Sequence, residues 1–528
     1  MSERPNTYMW TVICIFLIVM VSPAFAGKII YVDEDAAGAN DGSSWTDAYK
    51  YLQDALADAN SADKSVVIRV ARGVYRPDRN TAEPNGTGDR TATFQLINGV
   101  TLKGGYAGLG EADPNVRNIE LYETILSGDL NGNDVNIIDP VDSKNEPTRA
   151  ENSYHVVTGS GTNETVVLDG LTITAGNANG KFDNTVGKGG GMFNDNSRLS
   201  LTHCTFKGNS AYYGGGMFIY NSDLTITNCT FSGNSGKGMH SWESNVTLTN
   251  CTFSGNSDGG MYNWLSKVTL TNCMFSRNSG DLYGGGMENN GGSPILNNCT
   301  FFGNTSLDYG GGMFNSVSSP TIANCTFAKN TAQVGNALYV SLTSKENQYT
   351  VQLTNCILWD GSNEVWNTDD SIINITYSDV QGGFPGKGNI DSDPCFADPG
   401  YWDPNGTPDY LDDDFWVDGD YHLKSQAGRW TSASLIEPDA NEGGWTKDDV
   451  TSPCIDAGDQ SNPIGLESFP NGGIINMGAY GGTAEASKSY FGLPVCETII
   501  AGDINGDCKV DFNDFVLMAA NWLEDNSQ

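Results

Sequence analysis

Hydrophobic and polar positions repeat with a near-constant pattern between residues 188 and 360. Each unit opens on an apolar lead residue, and in the first six units a cysteine follows 12 residues later. In the seventh unit this distance is 18 residues, and the distance between successive lead residues varies from 22 to 26. A constant core with one variable joint is typical of a stacked solenoid whose loops leave from one corner. The lead residues are Met192, Met217, Met239, Met261, Met287, Met313 and Leu338, and the cysteines are Cys204, Cys229, Cys251, Cys273, Cys299, Cys325 and Cys356.

The alternation inside one unit predicts three short strands. In the unit that starts at Met217, Met217 and Ile219 share one parity, and Leu224 and Ile226 form the inward side of a second strand. The parity then slips, so Asn228 is predicted to occupy a tight turn in the left-handed conformation that asparagine tolerates. Three strands and three turns in about two dozen residues predict one coil of a right-handed parallel β-helix, and therefore an all-β solenoid.

The cysteines of the repeat are predicted to be free thiols. Equivalent residues on stacked coils point the same way at ~4.8 Å, which is outside the usual Cβ separation of a disulfide. Such thiols pack as small apolar groups. Whether Cys395 pairs with Cys454, and Cys496 with Cys508, stays open.

The repeat signature resembles known families. Gly215-Gly216-Met217 and the motif from Phe231 to Asn234 resemble the repeats of polymorphic outer-membrane proteins and, more broadly, the pectin-lyase-like superfamily of right-handed β-helices. The resemblance spans roughly residues 190–360 and implies the fold rather than a function. Pectate lyases use calcium-binding aspartates with an arginine base, and polygalacturonases use clustered aspartates with Gly-His-Gly, but neither set is visible. The catalytic residues are unknown, and the sequence does not decide whether the protein is a polysaccharide lyase, a glycoside hydrolase or no enzyme.

The composition and an apolar N-terminal segment predict that the protein acts outside the cell. The formal net charge of −36 argues against nucleic acid and anionic membranes as partners. An apolar run near the N-terminus, followed by Ala24-Phe25-Ala26, predicts a secretory signal peptide of a secreted or surface-exposed bacterial protein, with a retained membrane anchor as the alternative. The amphipathic pattern over 45–60, with Ser44 and Asp47 as a capping box, predicts a helix that covers the N-terminal end of the solenoid. The predicted segments are a signal peptide at 1–26, a β-helix at 27–490 with regular repeats at 188–360 and irregular C-terminal coils at 361–490 closed by Asn476–Tyr480, and a calcium module at 491–528.

The outward face of the repeat predicts a binding surface. The tryptophans of two successive coils should stack, and the joints before Met239 and Met261 are the shortest, at eight residues from the preceding Phe. The tryptophans should therefore lie in a notch between longer, tyrosine-bearing loops, where flat sugar faces can pack. The alternative is that these loops cover the patch. The predicted substrate-binding residues are Tyr220, His240, Trp242, Tyr262, Trp264 and Glu288.

The C-terminal segment carries a calcium motif. Oxygen ligands fall at positions 1, 3, 5, 9 and 12 of a loop, with a backbone carbonyl at position 7, as in an EF-hand. A helical pattern follows the loop but none precedes it, so the segment resembles a dockerin repeat, which implies a cohesin-like or cell-surface partner. Cys508 replaces the usual glycine, and only one loop is present where dockerins carry two. A second oxygen-rich segment, Asp129–Asp134, is a weaker calcium candidate. The predicted calcium ligands are Asp503, Asn505, Asp507, Lys509, Asp511 and Asp514.

These patterns together predict a secreted β-helix protein that binds extracellular polysaccharide, with degradation of that polysaccharide as a further option. The alternative function is that of a non-catalytic adhesin or surface-structural protein, in which the solenoid is a rigid spacer.

Overall fold

The computed structural model describes residues 27–137, 139–181, 185–341, 349–368, 371–403, 415–431 and 443–492, with five isolated positions beyond 492. The predicted signal peptide and the six predicted calcium ligands of the C-terminal segment lie outside these residues. Within the described part of the chain, no helix has the length and apolar character needed to cross a membrane.

The predicted parallel β-helix is confirmed, because each coil adds one strand to each of three parallel sheets. Within the described residues, sheet A has 12 strands, sheet B 11 and sheet C 10. Sheet A contains Lys28–Val32, Val66–Ala71, Val100–Tyr106, Val167–Asp169, Arg198–Thr202, Asp223–Thr227, Asn245–Thr249, Lys267–Thr271, Ile295–Asn297, Thr321–Ala323, Thr350–Thr354 and Ile372–Thr376. Sheet B contains Gly73–Tyr75, Thr124–Ser127, Thr172–Thr174, Thr205–Lys207, Thr230–Ser232, Thr252–Ser254, Met274–Ser276, Thr300–Phe302, Thr326–Ala328, Ile357–Trp359 and Asp379–Val380. Sheet C contains Phe94–Gln95, Val157–Thr158, Met192–Asp195, Met217–Tyr220, Met239–Trp242, Met261–Trp264, Met287–Asn290, Met313–Ser316, Leu338–Ser341 and Val365–Asn367.

The strands pair in the register that the repeat predicts. Met217 pairs with Met239, and Asn228 takes the predicted left-handed conformation with φ of +52°. The phenylalanines of sheet B stack in the interior, with ring centroids 4.6 to 4.9 Å apart from Phe206 to Phe327. The seven repeat cysteines are buried and free, as predicted. These columns form the apolar core that stabilises the solenoid.

Outside the repeat, Cys395 and Cys454 are also free. The Cys454 thiol donates a hydrogen bond to Asp379 Oδ2 at 3.1 Å. The disulfide considered between these two cysteines is therefore absent from the structure.

The N-terminal helix begins later than predicted. It spans Leu52–Ser61, and its buried face, formed by Leu52, Ala55, Leu56 and Ala59, packs against the strands that begin the solenoid. Ser44 and Asp47 bond each other in a preceding turn, and the N-cap residue Tyr51 has no side-chain cap, so the predicted capping box was wrong. The reason is that the Tyr49 amide donates to Tyr31 O at 2.9 Å, which holds residue 49 extended beside the first strand of sheet A.

The C-terminal segment differs from the predicted irregular coils. Parallel coils end at Asp379–Val380, and the later strands described here pair antiparallel. Residues 476–480 do not close the end of the solenoid. Instead the Ala479 amide donates to Thr326 Oγ1, and Asn298 Nδ2 donates to the Ala479 carbonyl, so this segment lies along the flank of sheet B. The antiparallel pairs are Phe396–Asp398 with Asp420–Leu423, Tyr401–Asp403 with Phe415–Val417, and Arg429–Thr431 with Gly444–Thr446. The remaining short elements are the 3₁₀ helices Pro140–Lys144, Pro147–Arg149 and Thr185–Gly187, and the parallel pairs Asn177–Ala178 with Ser210–Ala211 and Ser279–Gly280 with Thr305–Ser306.

Candidate functional site

An aromatic ledge, formed by Tyr220, Trp242 and Trp264, follows the outward face of sheet C. These residues occupy the same position in three successive coils, and the strand register places each beside the next. The Trp242 and Trp264 rings lie parallel, with centroids 5.0 Å apart and planes 8° apart. Tyr220 meets Trp242 edge-on, at 6.1 Å and 86°. Because Tyr220 and Trp264 are each 37% exposed, the ledge presents flat aromatic surface to solvent.

The second outward row, two residues earlier in each strand, is covered by loops. His240 is 2% and Tyr262 9% exposed, although both point away from the core. The loop residue Tyr213 covers His240 edge-on, with ring centroids 5.0 Å apart. The loops therefore cover this second row, as the alternative interpretation expected. They leave Trp264 of the ledge exposed.

A cleft of ≈ 550 Å³ lies between the aromatic ledge and the loops. The eight-residue joints leave this gap because the neighbouring joints are longer. Five of the six residues predicted to bind substrate line it, whereas Tyr220 lies on the ledge beside it. The lining consists of Tyr212, Tyr213, Lys237, His240, Trp242, Asp258, Tyr262, Trp264, Asp281, Leu282, Tyr283 and Glu288.

A buried ion cluster lies in the cleft. Lys237 Nζ is 3.0 Å from Glu288 Oε2 and 3.9 Å from Asp258 Oδ1. Burial alone would lower the pKa of Lys237, but the two carboxylates more than offset it and raise that pKa, so the ammonium stays charged. Burial raises the pKa of Glu288, and Lys237 opposes this shift. Lys237 therefore ties residues of three successive coils together and is already occupied by the protein's own acids.

The imidazole of His240 is held neutral. Burial lowers its pKa well below the ordinary value, and the positive charges of Lys237 and Lys188 add to the effect. Its Nε2 has no hydrogen-bond partner among the residues that the structure describes. A buried polar atom without a protein partner is suited to an ordered water molecule.

Three of the four charged residues that line the cleft were not predicted from the sequence. Lys237, Asp258 and Asp281 lie in the variable joints, where no periodicity places them. Lys237 lies two residues before Met239, and Asp258 lies three residues before Met261, so both fall within the two shortest joints. This position is the feature of the sequence that could have identified them.

A separate acidic group could hold a metal ion. Carboxylate oxygens of Asp129, Asp134 and Glu151 lie within 4.8 Å of one another, so Glu151 adds a third acid to the oxygen-rich segment Asp129–Asp134. Burial raises the pKa of Asp134 to about 6, and Arg149 Nε lies 3.9 Å from Asp134 Oδ2. The oxygen donors suit a hard cation such as calcium, but Arg149 already supplies positive charge there.

Fold and cleft together define a parallel β-helix with an outward-facing aromatic cleft. The family model described as the right handed beta helix region matches residues 130–267 and 243–380, and the fold is a right-handed parallel β-helix. No curated protein sequence matches the chain.

Several solved structures match the chain at low identity. Pectate lyase Pel9A is 14% identical with a TM-score of 0.46, covering 86% of this chain and 96% of that one. A capsular polysaccharide depolymerase, the tailspike gp49 of Acinetobacter baumannii bacteriophage Fri1, is 13% identical with a TM-score of 0.32, covering 67% and 57%. PfbA, a surface adhesin of Streptococcus pneumoniae, is 16% identical with a TM-score of 0.32, covering 62% and 84%. At such identities, the function of this chain has to be argued from the residues of its own cleft.

Proposed function

We propose that this protein binds extracellular polysaccharide, with the aromatic ledge and the adjoining cleft as the sugar-binding site. The observation that carries this proposal is the parallel pair of the half-buried Trp242 and the exposed Trp264, beside a cleft of ≈ 550 Å³. Exposed aromatic side chains are costly to leave in water unless a partner covers them. The axial C–H face of a pyranose ring is flat and apolar enough to pack against each indole.

Polar groups complement this apolar surface. Glu288 lines the cleft with a carboxylate that is partly accessible, and this carboxylate can accept hydrogen bonds from the hydroxyls at the edge of a sugar ring. A long, regular solenoid suits a polymer, because successive sugars can follow the coil axis. Cleavage of the bound polymer remains the further option, to be decided by the release of reducing or unsaturated ends.

A glycan array tests the proposal. The double variant Trp242→Ala/Trp264→Ala is expected to lose binding by at least tenfold, since each stacked ring contributes on the order of 1 kcal/mol or more. Trp366→Ala is the matched control, because Trp366 is 44% exposed on the same sheet but does not line the cleft. Equal binding by both variants and the wild type would contradict the proposal.

The second candidate function is that of a non-catalytic adhesin or surface spacer. The continuous sheets favour it, since in the described residues they run for 10 to 12 strands without a break. Adhesion through protein partners, together with no glycan binding in the array, would support this alternative.

Secretion through the predicted signal peptide at 1–26, the role of the helix Leu52–Ser61 as an N-terminal cap, and calcium binding at 491–528 are part of the same proposal. With calcium bound, the segment 491–528 would form a dockerin-like surface that binds a cohesin-like or cell-surface partner. Calorimetry of the full chain is expected to show calcium uptake that Asp503→Ala reduces. Asp129→Ala provides the comparison, because it reports on the internal acidic triad. Uptake unaffected by Asp503→Ala would contradict the proposed tail site.

A further inference from the structure

The charge of the aromatic cleft distinguishes between classes of polysaccharide. Three carboxylates line it, those of Asp258, Asp281 and Glu288, against the single ammonium of Lys237. Its lining therefore carries two net negative charges, in line with the −36 of the whole chain. A polyanion entering the cleft would be repelled at close range, where solvent screens least.

The one cation in the lining is not available to a ligand. Lys237 is 7% exposed, and its Nζ is 3.0 Å from Glu288 and 3.9 Å from Asp258. The other nearby ammonium groups belong to Lys188, 5.9 Å from the centroid of the Trp242 ring, and Lys144, which lies on the Tyr212 ring. Neither lysine is among the lining residues of the cleft, and each ammonium lies over an aromatic ring of that lining.

The hydrogen-bonding capacity of the cleft lining also favours neutral sugars over charged ones. Glu288 offers acceptor oxygens, since its recorded bond uses only Oε2, and ionised carboxylates accept but cannot donate. The neutral His240 ring adds no positive charge to the lining. Sugar hydroxyls both donate and accept and can satisfy such a lining, whereas a ligand carboxylate only accepts and would oppose the acids.

We propose that the cleft selects uncharged pyranose polymers and excludes uronate polymers. The Trp242–Trp264 pair packs the ring faces, Glu288 accepts hydrogen bonds from the hydroxyls, and Asp258 and Asp281 repel sugar carboxylates. This inference rests on the proposed polysaccharide binding and names its ligand class.

Affinity electrophoresis of the full chain with matched polymers tests the inference. The probes are polygalacturonate, the same polymer after reduction of its carboxyl groups to primary alcohols, and a panel of neutral glucans and mannans. Wild type is expected to bind neutral polymers, and any binding of polygalacturonate is expected to strengthen at least tenfold on carboxyl reduction at low salt. In 1 M salt the difference should shrink, because the screening length falls to about 3 Å.

Charge variants show whether the preference for neutral polymers comes from electrostatic repulsion or from the shape of the cleft. Asp281→Asn is expected to reduce the preference for the carboxyl-reduced polymer by at least threefold, because it removes one carboxylate of the lining and leaves in place the salt bridges of Lys237 to Asp258 and Glu288. Asp308→Asn is the matched control, because Asp308 lies in the corresponding joint of the next coil and does not line the cleft. Preference for the uronate polymer, or an Asp281→Asn variant that behaves like Asp308→Asn, would overturn the inference while leaving polysaccharide binding intact. Failure to bind any probe, neutral or charged, would overturn the proposed function as well.

Discussion

At the scale of single residues, one asparagine column joins the coils. The Asn of each Phe-x-x-Asn motif is fully buried at the bend after sheet B. Asn256 Nδ2 donates to Phe231 O at 3.0 Å and to Asn278 Oδ1 at 2.8 Å, while its Oδ1 accepts from Asn234 Nδ2 at 2.9 Å. Each member thus satisfies backbone and side-chain groups on neighbouring coils.

Asn256→Ala is expected to destabilise the protein by about 3 kcal/mol, because it leaves buried groups of Phe231 and Asn234 without partners. Urea unfolding followed by circular dichroism measures the change. The control Thr247→Ala alters an exposed position of the same coil and should leave the unfolding midpoint nearly unchanged. Similar midpoints for the two variants would show that the column adds little stability.

The sequence pattern predicted the features that recur in every coil, such as the turns. It did not predict the features of the loops, which do not repeat. The parity slip at Asn228 predicted its left-handed turn, because strand alternation fixes which side chains can face inward. The covering of His240 by Tyr213 was left open, because it depends on the path of a loop whose sequence has no period. Lys237 and Asp258 were missed for the same reason.

At the scale of elements, the thiol column can be tested chemically. The seven repeat cysteines are buried, and burial opposes formation of the reactive thiolate. In the native protein, a water-soluble aromatic disulfide reagent is expected to leave them unmodified and, among the described cysteines, to react first at the partly exposed Cys395. Urea should then release the remaining thiols together as the sheets unfold. Rapid native modification of the repeat cysteines, assigned by peptide mass, would contradict the packing described.

The C-terminal flank contains a pH-sensitive contact. His422 Nδ1 lies 2.5 Å from Asp420 Oδ1, its Nε2 lies 3.5 Å from Glu485 Oε2, and its ring stacks on Tyr480. Burial would lower the pKa of His422, but Asp420 and Glu485 more than offset this and raise it. A raised pKa means that the folded form holds the proton more tightly. The resulting stabilisation is complete below the unfolded pKa of about 6.5 and is lost as the pH rises through the folded value.

The melting temperature of wild type is therefore expected to fall more steeply between pH 6 and pH 8.5 than that of His422→Gln. Thermal unfolding across this range measures the difference. His203→Gln serves as a comparison, because His203 lies on the regular solenoid outside this contact. Parallel pH profiles for wild type and His422→Gln would show that the contact does not respond to pH.

Element boundaries were predictable only where periodicity continued. The hydrophobic face at Leu52, Ala55, Leu56 and Ala59 predicted the helix, but pairing of Tyr49 with the first strand delayed its start. The strand Lys28–Val32 was not predicted as an element, because it lies far outside the regular repeats at 188–360. Beyond Val380 the segment packs on sheet B through irregular contacts. No alternation of apolar and polar residues in the sequence predicts these contacts.

At the scale of the whole molecule, one geometric fact links fold to function. In-register parallel coils convert two tryptophans, 22 residues apart in the sequence, into adjacent parallel rings. Shortening two successive joints then leaves the cleft open beside them. The solenoid and the position of the ledge could be predicted from the repeat, whereas the charge of the cleft required the folded loops.

The most direct test of the account is a crystal structure of the protein with a neutral oligosaccharide identified by the array. The account predicts a pyranose ring lying flat against Trp242 or Trp264, with a hydroxyl within hydrogen-bond distance of the Glu288 carboxylate. A sugar bound elsewhere on the solenoid, with the aromatic cleft left to solvent, would contradict it.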